Sequence, residues 1–119
     1  MNEVAPLKIL IVDDHAAVRR TVRQMLEAAH VTTLEACSGE EAVARYADEH
    51  PDWVIMDVRM PGMDGIHATR VIRQLDPKAR IVAISQFPGP DCATAARDAG
   101  AVAFVNKEQL VQLRQIIQP

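Results

Sequence analysis

The stretch Trp-Val-Ile-Met-Asp-Val-Arg-Met-Pro-Gly-Met-Asp-Gly, residues 53–65, decides the fold. Four apolar residues, two of them β-branched, precede the carboxylate of Asp57, and a loop rich in Pro and Gly follows. A continuous apolar run of this kind is typical of a central strand buried on both faces of a parallel sheet. The sequence therefore places Asp57 at the carboxyl end of that strand, where ligands bind in open α/β sheets. A cap for the next helix is the simpler alternative for such an Asp.

Apolar segments of the same kind recur along the chain and alternate with helical patterns. The predicted strands cover residues 8–12, 32–36, 53–57, 80–85 and 101–105. The predicted helices cover residues 16–29, 38–49, 64–75, 91–99 and the segment from 108 onward. Because parallel strands need long crossovers, which are usually helices, this alternation predicts a doubly wound five-stranded parallel sheet, (βα)5.

Local signals support the boundaries of the predicted helices. Ser38 and Glu41 match a capping box, Asp64 is suited to cap the third helix, and Gly100 is suited to end the fourth. In the first helix the apolar stripe is Val18, Val22, Met25, Leu26 and Ala29. In the last helix it is Leu110, Leu113 and Ile117. Both helices are therefore expected to pack one face against the sheet.

Length and composition narrow the class of protein. The chain has 119 residues, 49% of them hydrophobic, and a formal net charge of −3. We expect residues 1–119 to form a single domain with a real core, and we expect no direct contact with nucleic acid. There is no run of about 18 apolar residues and no signal-peptide pattern. Two cysteines, Cys37 and Cys92, are too few for a disulfide framework, so the predicted location is cytoplasmic.

Polar residues converge on the carboxyl ends of the predicted strands. They are the pair Asp13 and Asp14, then Asp57, Ser85 and Lys107. Each has a plain alternative: a helix cap, a strand-end hydroxyl or a solvated charge. Three carboxylates in one cleft repel one another unless a positive charge lies among them, and Mg²⁺ prefers oxygen ligands. Aspartate is also a nucleophile toward phosphoryl groups, and such transfer depends mainly on charge stabilisation.

Taken together, these residues resemble the receiver domain of two-component response regulators over essentially the whole chain. The matching pieces are Asp13-Asp14, the strand ending at Asp57, the loop of residues 60–65, Ser85 and Phe104-Val105-Asn106-Lys107. The resemblance implies a flavodoxin-like sheet with strand order 2-1-3-4-5.

The resemblance also implies a function and assigns roles to residues. Asp57 would be the phosphoacceptor, with Mg²⁺ held by Asp13, Asp14, Asp57 and the backbone carbonyl of Arg59. Ser85 and Lys107 would contact the phosphoryl group, and the rotamer of Phe104 would report the switch. The implied donor is a histidine kinase or a histidine phosphotransfer protein. The implied output is an attached domain or a downstream protein, reached through the fourth helix, fifth strand and fifth helix. No separate enzymatic turnover is expected.

Three features depart from the usual family pattern. Gln86 follows Ser85, where a small residue is common, and no proline follows Lys107. The segment Phe87-Pro88-Gly89-Pro90 makes a stiff loop, because each proline fixes its φ angle. We expect these departures to affect rates and output coupling rather than the fold.

The sequence can also be compared with the requirements of three other classes of protein. A haloacid-dehalogenase-type phosphatase needs Asp-x-Asp after its nucleophile strand, and Asp57-Val58-Arg59 does not supply it. A flavin site needs a hydroxyl- or Gly-rich phosphate loop after the first strand, where Asp13-Asp14-His15-Ala16 would repel phosphate. Nucleotide hydrolysis lacks its phosphate-binding loop, because no Gly-x-x-x-x-Gly-Lys sequence is present. The remaining alternative is a receiver-like interaction module that works without phosphate, which Gln86 and the proline-rich loop leave open.

Overall fold

The computed structural model describes residues 5–86 and 89–117. They contain one sheet of five parallel strands in the order β2-β1-β3-β4-β5. The strands are β1 (Leu7–Val12), β2 (Val31–Ala36), β3 (Trp53–Asp57), β4 (Ile81–Ser85) and β5 (Ala103–Asn106). The predicted doubly wound sheet and its strand order are confirmed. Phe87 and Pro88, part of the predicted stiff loop, lie outside the described residues.

Within the described residues, five helices and one 3₁₀ segment connect and cover the strands. They are α1 (Ala16–Met25), α2 (Gly39–Glu49), α3 (Gly65–Leu75), α4 (Pro90–Ala99), the 3₁₀ segment (Lys107–Gln112) and α5 (Leu113–Ile116). The predicted caps of α2 and α3 are confirmed: Ser38 accepts a hydrogen bond from the backbone N–H of Glu41, and Asp64 accepts one from that of His67. Gly100 ends α4 with φ at +117°, a left-handed conformation that favours glycine.

The two faces of the sheet are covered by different helices. On one face, alternate strand residues such as Ile9, Ile11 and Ile55 pack with Val22 of α1 and Leu113 of α5. On the other face, the intervening strand residues pack with α2 and α3. The strand residues include Leu10, Val12, Val54 and Met56, and the helix residues include Ala42, Tyr46, Ala68 and Ile72. β3 is buried at every position, as predicted for a central parallel strand.

Three predictions differ from the structure by more than a single residue. Helix α1 ends at Met25 rather than Ala29, because the backbone turns there and Val31 donates to the Ala28 carbonyl as β2 begins. Strand β5 begins at Ala103 rather than Ala101, since the N–H of Ala101 is used to close the end of α4 on Ala96.

The third error concerns the last helix, which was expected to run regularly from Glu108. Instead, a 3₁₀ segment is interrupted by non-helical angles at Gln109, and α5 is a single short turn. The predicted stripe is nevertheless buried: Leu110, Leu113 and Ile117 all lie in the core. Within the described residues, none of the helices combines the length and apolar character needed to cross a membrane.

Candidate functional site

The strand ends bring four of the predicted site residues into one cluster. Asp13 follows β1, Asp57 ends β3, Ser85 ends β4 and Lys107 follows β5. The Lys107 ammonium lies 2.7 Å from Asp13 Oδ2 and 3.2 Å from Asp57 Oδ1. Asp13, Asp57 and Ser85 are 0%, 3% and 1% exposed, so the cluster lies almost entirely below the surface. One cation therefore joins two buried carboxylates from different strands.

The environment of Asp57 disfavours its negative charge. Burial, and then the charge of Asp13, raise the pKa of Asp57 to about 6, although Lys107 and the backbone N–H of Arg59 act in the opposite direction. The Arg59 N–H lies 3.4 Å from Asp57 Oδ1. A carboxylate with this pKa is mostly ionised at neutral pH and gains from any added cation.

Lys107 stays positively charged in this setting. Burial alone would lower the pKa of its ammonium, but the close contact with Asp13 and the negative charges of Asp13 and Asp57 outweigh that effect and raise the pKa. Lys107 is also the first residue of the 3₁₀ segment, where Asn106 caps the backbone by accepting from the N–H of Glu108 at 2.9 Å. A cation at a helix start is unfavourable to the helix dipole, and the two carboxylates offset that cost.

The acidic pair does not cap α1, which settles one alternative left open by the sequence. His15 occupies the N-cap position, and Asp13 Oδ1 accepts a hydrogen bond from the His15 backbone N–H at 2.8 Å. His15 Nδ1 lies 3.2 Å from both Asp13 Oδ1 and Asp14 Oδ1. Sequence reasoning missed His15; its position directly after two strand-end acids was the available signal.

The acidic pair offers two buried oxygen atoms to a cation. Asp13 Oδ2 and Asp14 Oδ1 are buried and have no hydrogen-bond partner within the described residues. Each has only an ion-pair contact, with Lys107 and His15 respectively. Ligand atoms of Asp13, Asp14 and His15 lie within 4.8 Å of one another. Buried carboxylate oxygens with open lone pairs are the donors that Mg²⁺ prefers, so these residues fit a magnesium site.

A cleft of about 260 Å³ opens above Asp57. Its lining residues are His15, Asp57, Arg59, Ser85, Gln86 and Lys107. Gln86 is exposed at the mouth of this cleft, directly after the buried Ser85. The cleft thus gives a small ligand a path to the Asp57 carboxylate, with Gln86 beside that path.

The loop after β3 is fixed by close backbone packing. Gly65 donates its N–H to the Val58 carbonyl at 3.0 Å, and a Cβ at Gly65 would collide with the Asp57 carbonyl. On the other side, Glu40 of α2 accepts a hydrogen bond from the Met63 N–H at 2.8 Å. These contacts hold Arg59 at the wall of the cleft.

Phe104 is separated from this cluster. It is partly buried and packs in a small apolar group with Val58, Ala83 and Ala96, the last of these on α4. In the sheet it is paired with Ala83. The structure therefore places Phe104 beside α4 and not among the residues that line the cleft.

Comparison with known proteins identifies the family. The model of the response regulator receiver domain matches residues 9–118. The chain belongs to this family. It is 40% identical over 101 residues to the chemotaxis protein CheY of Bacillus subtilis, covering 84% of each chain. It is 36% identical over 105 residues to the response regulator GacA of Pseudomonas syringae, covering 85% of this chain and 48% of that protein.

Solved structures show the same fold. A LuxR-family two-component response regulator from Aurantimonas has a TM-score of 0.87 and 38% identity, with 93% of this chain and 81% of that chain covered. A CheX-CheY-BeF₃-Mg²⁺ complex from Borrelia burgdorferi has a TM-score of 0.84 and 27% identity, with 96% and 92% covered.

Membership of the family sets the general role of the chain. Receiver domains are signalling domains of two-component systems; they interact with histidine kinases and output domains and bind Mg²⁺ at an acidic pocket. Some relatives are much longer than this chain, which spans 32% of a protein-glutamate methylesterase from Methanosarcina mazei. The roles of individual residues, in contrast, stay predictions.

Proposed function

We propose that this receiver domain is a phosphorylation-controlled switch in which Asp57 accepts a phosphoryl group. The donor is a histidine kinase or a histidine phosphotransfer protein. The observation that carries the proposal is the position of Asp57: a buried carboxylate at the floor of a cleft, 3.2 Å from the ammonium of Lys107. A buried acid with a shifted pKa beside a specific charged partner is a physical signature of a functional site.

The transfer itself asks for positioning and charge stabilisation. An Asp57 carboxylate oxygen attacks the phosphorus of phosphohistidine, an O–P bond forms as the N–P bond breaks, and the electron pair of the broken bond stays on the imidazole nitrogen. Lys107 offers positive charge within reach of the Asp57 carboxylate, and the Ser85 hydroxyl offers a hydrogen-bond donor at the end of the neighbouring strand. No separate substrate is turned over in this scheme.

We also propose that Asp13, Asp14, Asp57 and the backbone carbonyl of Arg59 hold Mg²⁺. The buried oxygens Asp13 Oδ2 and Asp14 Oδ1, which have ion-pair contacts but no regular hydrogen bond within the described residues, support this set. The structural relative from Borrelia burgdorferi is itself described as a complex with BeF₃ and Mg²⁺. When bound, Mg²⁺ would neutralise the negative charge that accumulates between the carboxylates and the phosphoryl group.

The proposed output surface comprises α4, β5 and α5. A phosphoryl group carries roughly 1.5 to 2 negative charges at neutral pH and replaces the single charge of the Asp57 carboxylate, which changes the balance of charge around Lys107 and Ser85. Phe104 lies on β5, three residues before Lys107, and packs with Ala96 of α4, so its rotamer is the proposed link to the surface. The same proposal includes three further points: residues 1–119 act as a single domain, their location is cytoplasmic, and the output passes through an attached or a separate protein.

The experiment that tests the proposal is labelling with acetyl phosphate and Mg²⁺. The wild-type chain should gain one phosphoryl group, and Asp57→Asn should gain none. Asp64→Asn is the matched control, because Asp64 is a nearby acid whose capping oxygen the amide retains, and it should label like the wild type. Failure of the wild-type chain to label, with the purified kinase as well, would favour the phosphate-independent interaction module.

A further inference from the structure

The backbone of Asp13 leaves the sheet but keeps two strong hydrogen bonds. Its N–H donates to the Ala36 carbonyl of β2 at 3.1 Å. Its carbonyl accepts from the guanidinium of Arg19, one turn into α1, at 2.6 Å. A strand-end carbonyl has lost its sheet partner, and a buried carbonyl without a partner costs free energy. The guanidinium of Arg19 therefore supplies the hydrogen-bond donor that a neighbouring strand would otherwise provide to this carbonyl.

Glu35 of β2 holds Arg19 in that position. Arg19 Nε donates to Glu35 Oε1 at 2.8 Å, and the other oxygen of Glu35 accepts from Arg23 at 2.9 Å. The Arg19 side chain is 17% exposed, whereas that of Arg23 is 46% exposed. Charge-assisted bonds from a planar guanidinium fix direction as well as distance. Arg19 thus connects α1, β2 and the turn that carries the acidic pair.

We propose that Arg19 is a positioning residue for the magnesium site. It fixes the Asp13 backbone, and with it the direction in which the Asp13 and Asp14 carboxylates leave the turn. This inference rests on the proposed magnesium-binding function of those carboxylates. Groups that orient metal ligands from outside commonly change metal affinity 10- to 100-fold when removed.

A purely electrostatic role and a positioning role of Arg19 predict opposite changes in Mg²⁺ affinity when Arg19 is removed. The direction of the change therefore tests the proposal. Arg19 is a cation close to the proposed ligands, so its removal would strengthen Mg²⁺ binding if its charge were all that mattered. If it positions Asp13, its removal weakens binding. Arg23 offers a matched control, because it pairs with the same Glu35 without contacting Asp13.

The test is calorimetric titration of Mg²⁺ into the metal-free chain. Arg19→Met should raise the Kd for Mg²⁺ about tenfold, and Arg23→Met should change it less than twofold. Arg19→Lys keeps the charge but has one nitrogen for two acceptors, so it should restore the affinity only in part. Urea unfolding in EDTA separates this effect from stability, since either methionine variant can lose stability without a change in metal affinity.

Each outcome is decisive. An unchanged or lower Kd in Arg19→Met, or equal effects of Arg19→Met and Arg23→Met, would overturn the positioning role. If Arg19→Met does not fold, the Kd for Mg²⁺ is compared between Arg19→Lys and Arg23→Lys instead. An unchanged or lower Kd in Arg19→Lys, or equal effects of the two substitutions, would then overturn the positioning role. Absence of Mg²⁺ binding in the wild-type chain would instead contradict the proposed function itself, so the two failures are distinguishable.

Discussion

The charged side chains at the two ends of the sheet differ in burial: they are exposed at one end and buried at the other. At the amino ends of the strands, Lys8 pairs with Glu49 at 3.2 Å with side chains 38% and 39% exposed, and Asp52 accepts the Lys8 backbone N–H at 2.7 Å. At the carboxyl ends, Asp13 and Lys107 pair at 2.7 Å with side chains 0% and 12% exposed. Exposed pairs contribute little to stability, whereas a buried charge depends on its partner. The carboxyl end of the sheet therefore retains buried charges that folding alone does not favour.

The largest expected effect comes from removing the buried cation. Lys107→Met leaves Asp13 and Asp57 without their shared partner, so the free energy of unfolding should fall by about 3–5 kcal/mol without metal at pH 8. Because the pKa of Lys107 is raised, its contribution is present throughout neutral pH and is lost only as pH rises through that pKa. Urea unfolding measures the loss. Lys8→Met at the amino end should lower the free energy of unfolding by about 1 kcal/mol or less. Equal losses in the two variants would contradict the claim that the buried ion pair matters more than the exposed one.

Magnesium should stabilise the folded chain only by binding at the carboxyl ends of the strands. At about 100 times its Kd, Mg²⁺ should add roughly 2.7 kcal/mol to the free energy of unfolding. Asp14→Ala should lose this gain, because it removes a buried oxygen proposed as a ligand. Asp52→Ala, at the amino end, should retain it. Thermal melting with Mg²⁺ and with EDTA gives both results, and a normal Mg²⁺ response in Asp14→Ala would remove Asp14 from the site.

The charge of Asp57 should destabilise the metal-free chain. Since burial raises its pKa to about 6, the folded state binds its proton more tightly than the unfolded state, and stability from this group falls as pH rises from about 4 to 6. In EDTA, Asp57→Asn should therefore be about 1–3 kcal/mol more stable than the wild type at pH 8, with no gain below about pH 4. Denaturant unfolding across this range measures it. A constant difference at every pH would contradict the assigned cause.

The smallest expected effect concerns the mouth of the cleft. Gln86 lines the cleft that leads to Asp57, and we expect its long side chain to obstruct a small phosphodonor. Gln86→Ala should raise the rate of labelling by phosphoramidate roughly tenfold, which corresponds to about 1.4 kcal/mol. Gln112→Ala, a substitution at an exposed glutamine outside the cleft, is the control. Stopped-flow rates that are equal or slower in Gln86→Ala would leave Gln86 without a gating role.

The sequence was sufficient for the sheet and for most of the cluster because both follow from local patterns. A buried apolar run predicts a parallel strand, and parallel strands deliver their last residues to one edge, so Asp13, Asp57, Ser85 and Lys107 could be placed together. The caps at Ser38 and Asp64 followed from single residues with a known preference. These predictions required no knowledge of distant contacts.

The remaining features depend on tertiary contacts that no local pattern encodes. The segment after Lys107 has the apolar spacing of a helix, but the Asn106 cap and the two ion pairs of Lys107 hold its start, and Gln109 breaks the helical angles. Arg19 fits the polar face of α1, so nothing in the periodicity indicated its bond to the Asp13 carbonyl. His15 was missed because a lone histidine beside two acids is compatible with many environments.

The most direct test of the central claim is chemical identification of the phosphorylated residue. After labelling with acetyl phosphate and Mg²⁺, borohydride reduction converts an aspartyl phosphate to homoserine, which peptide mass spectrometry locates in the sequence. We expect homoserine at Asp57 alone, abundant with Mg²⁺ and scarce in EDTA. Homoserine at Asp13 or Asp14, or its absence from Asp57 in a labelled chain, would show that Asp57 is not the phosphoacceptor.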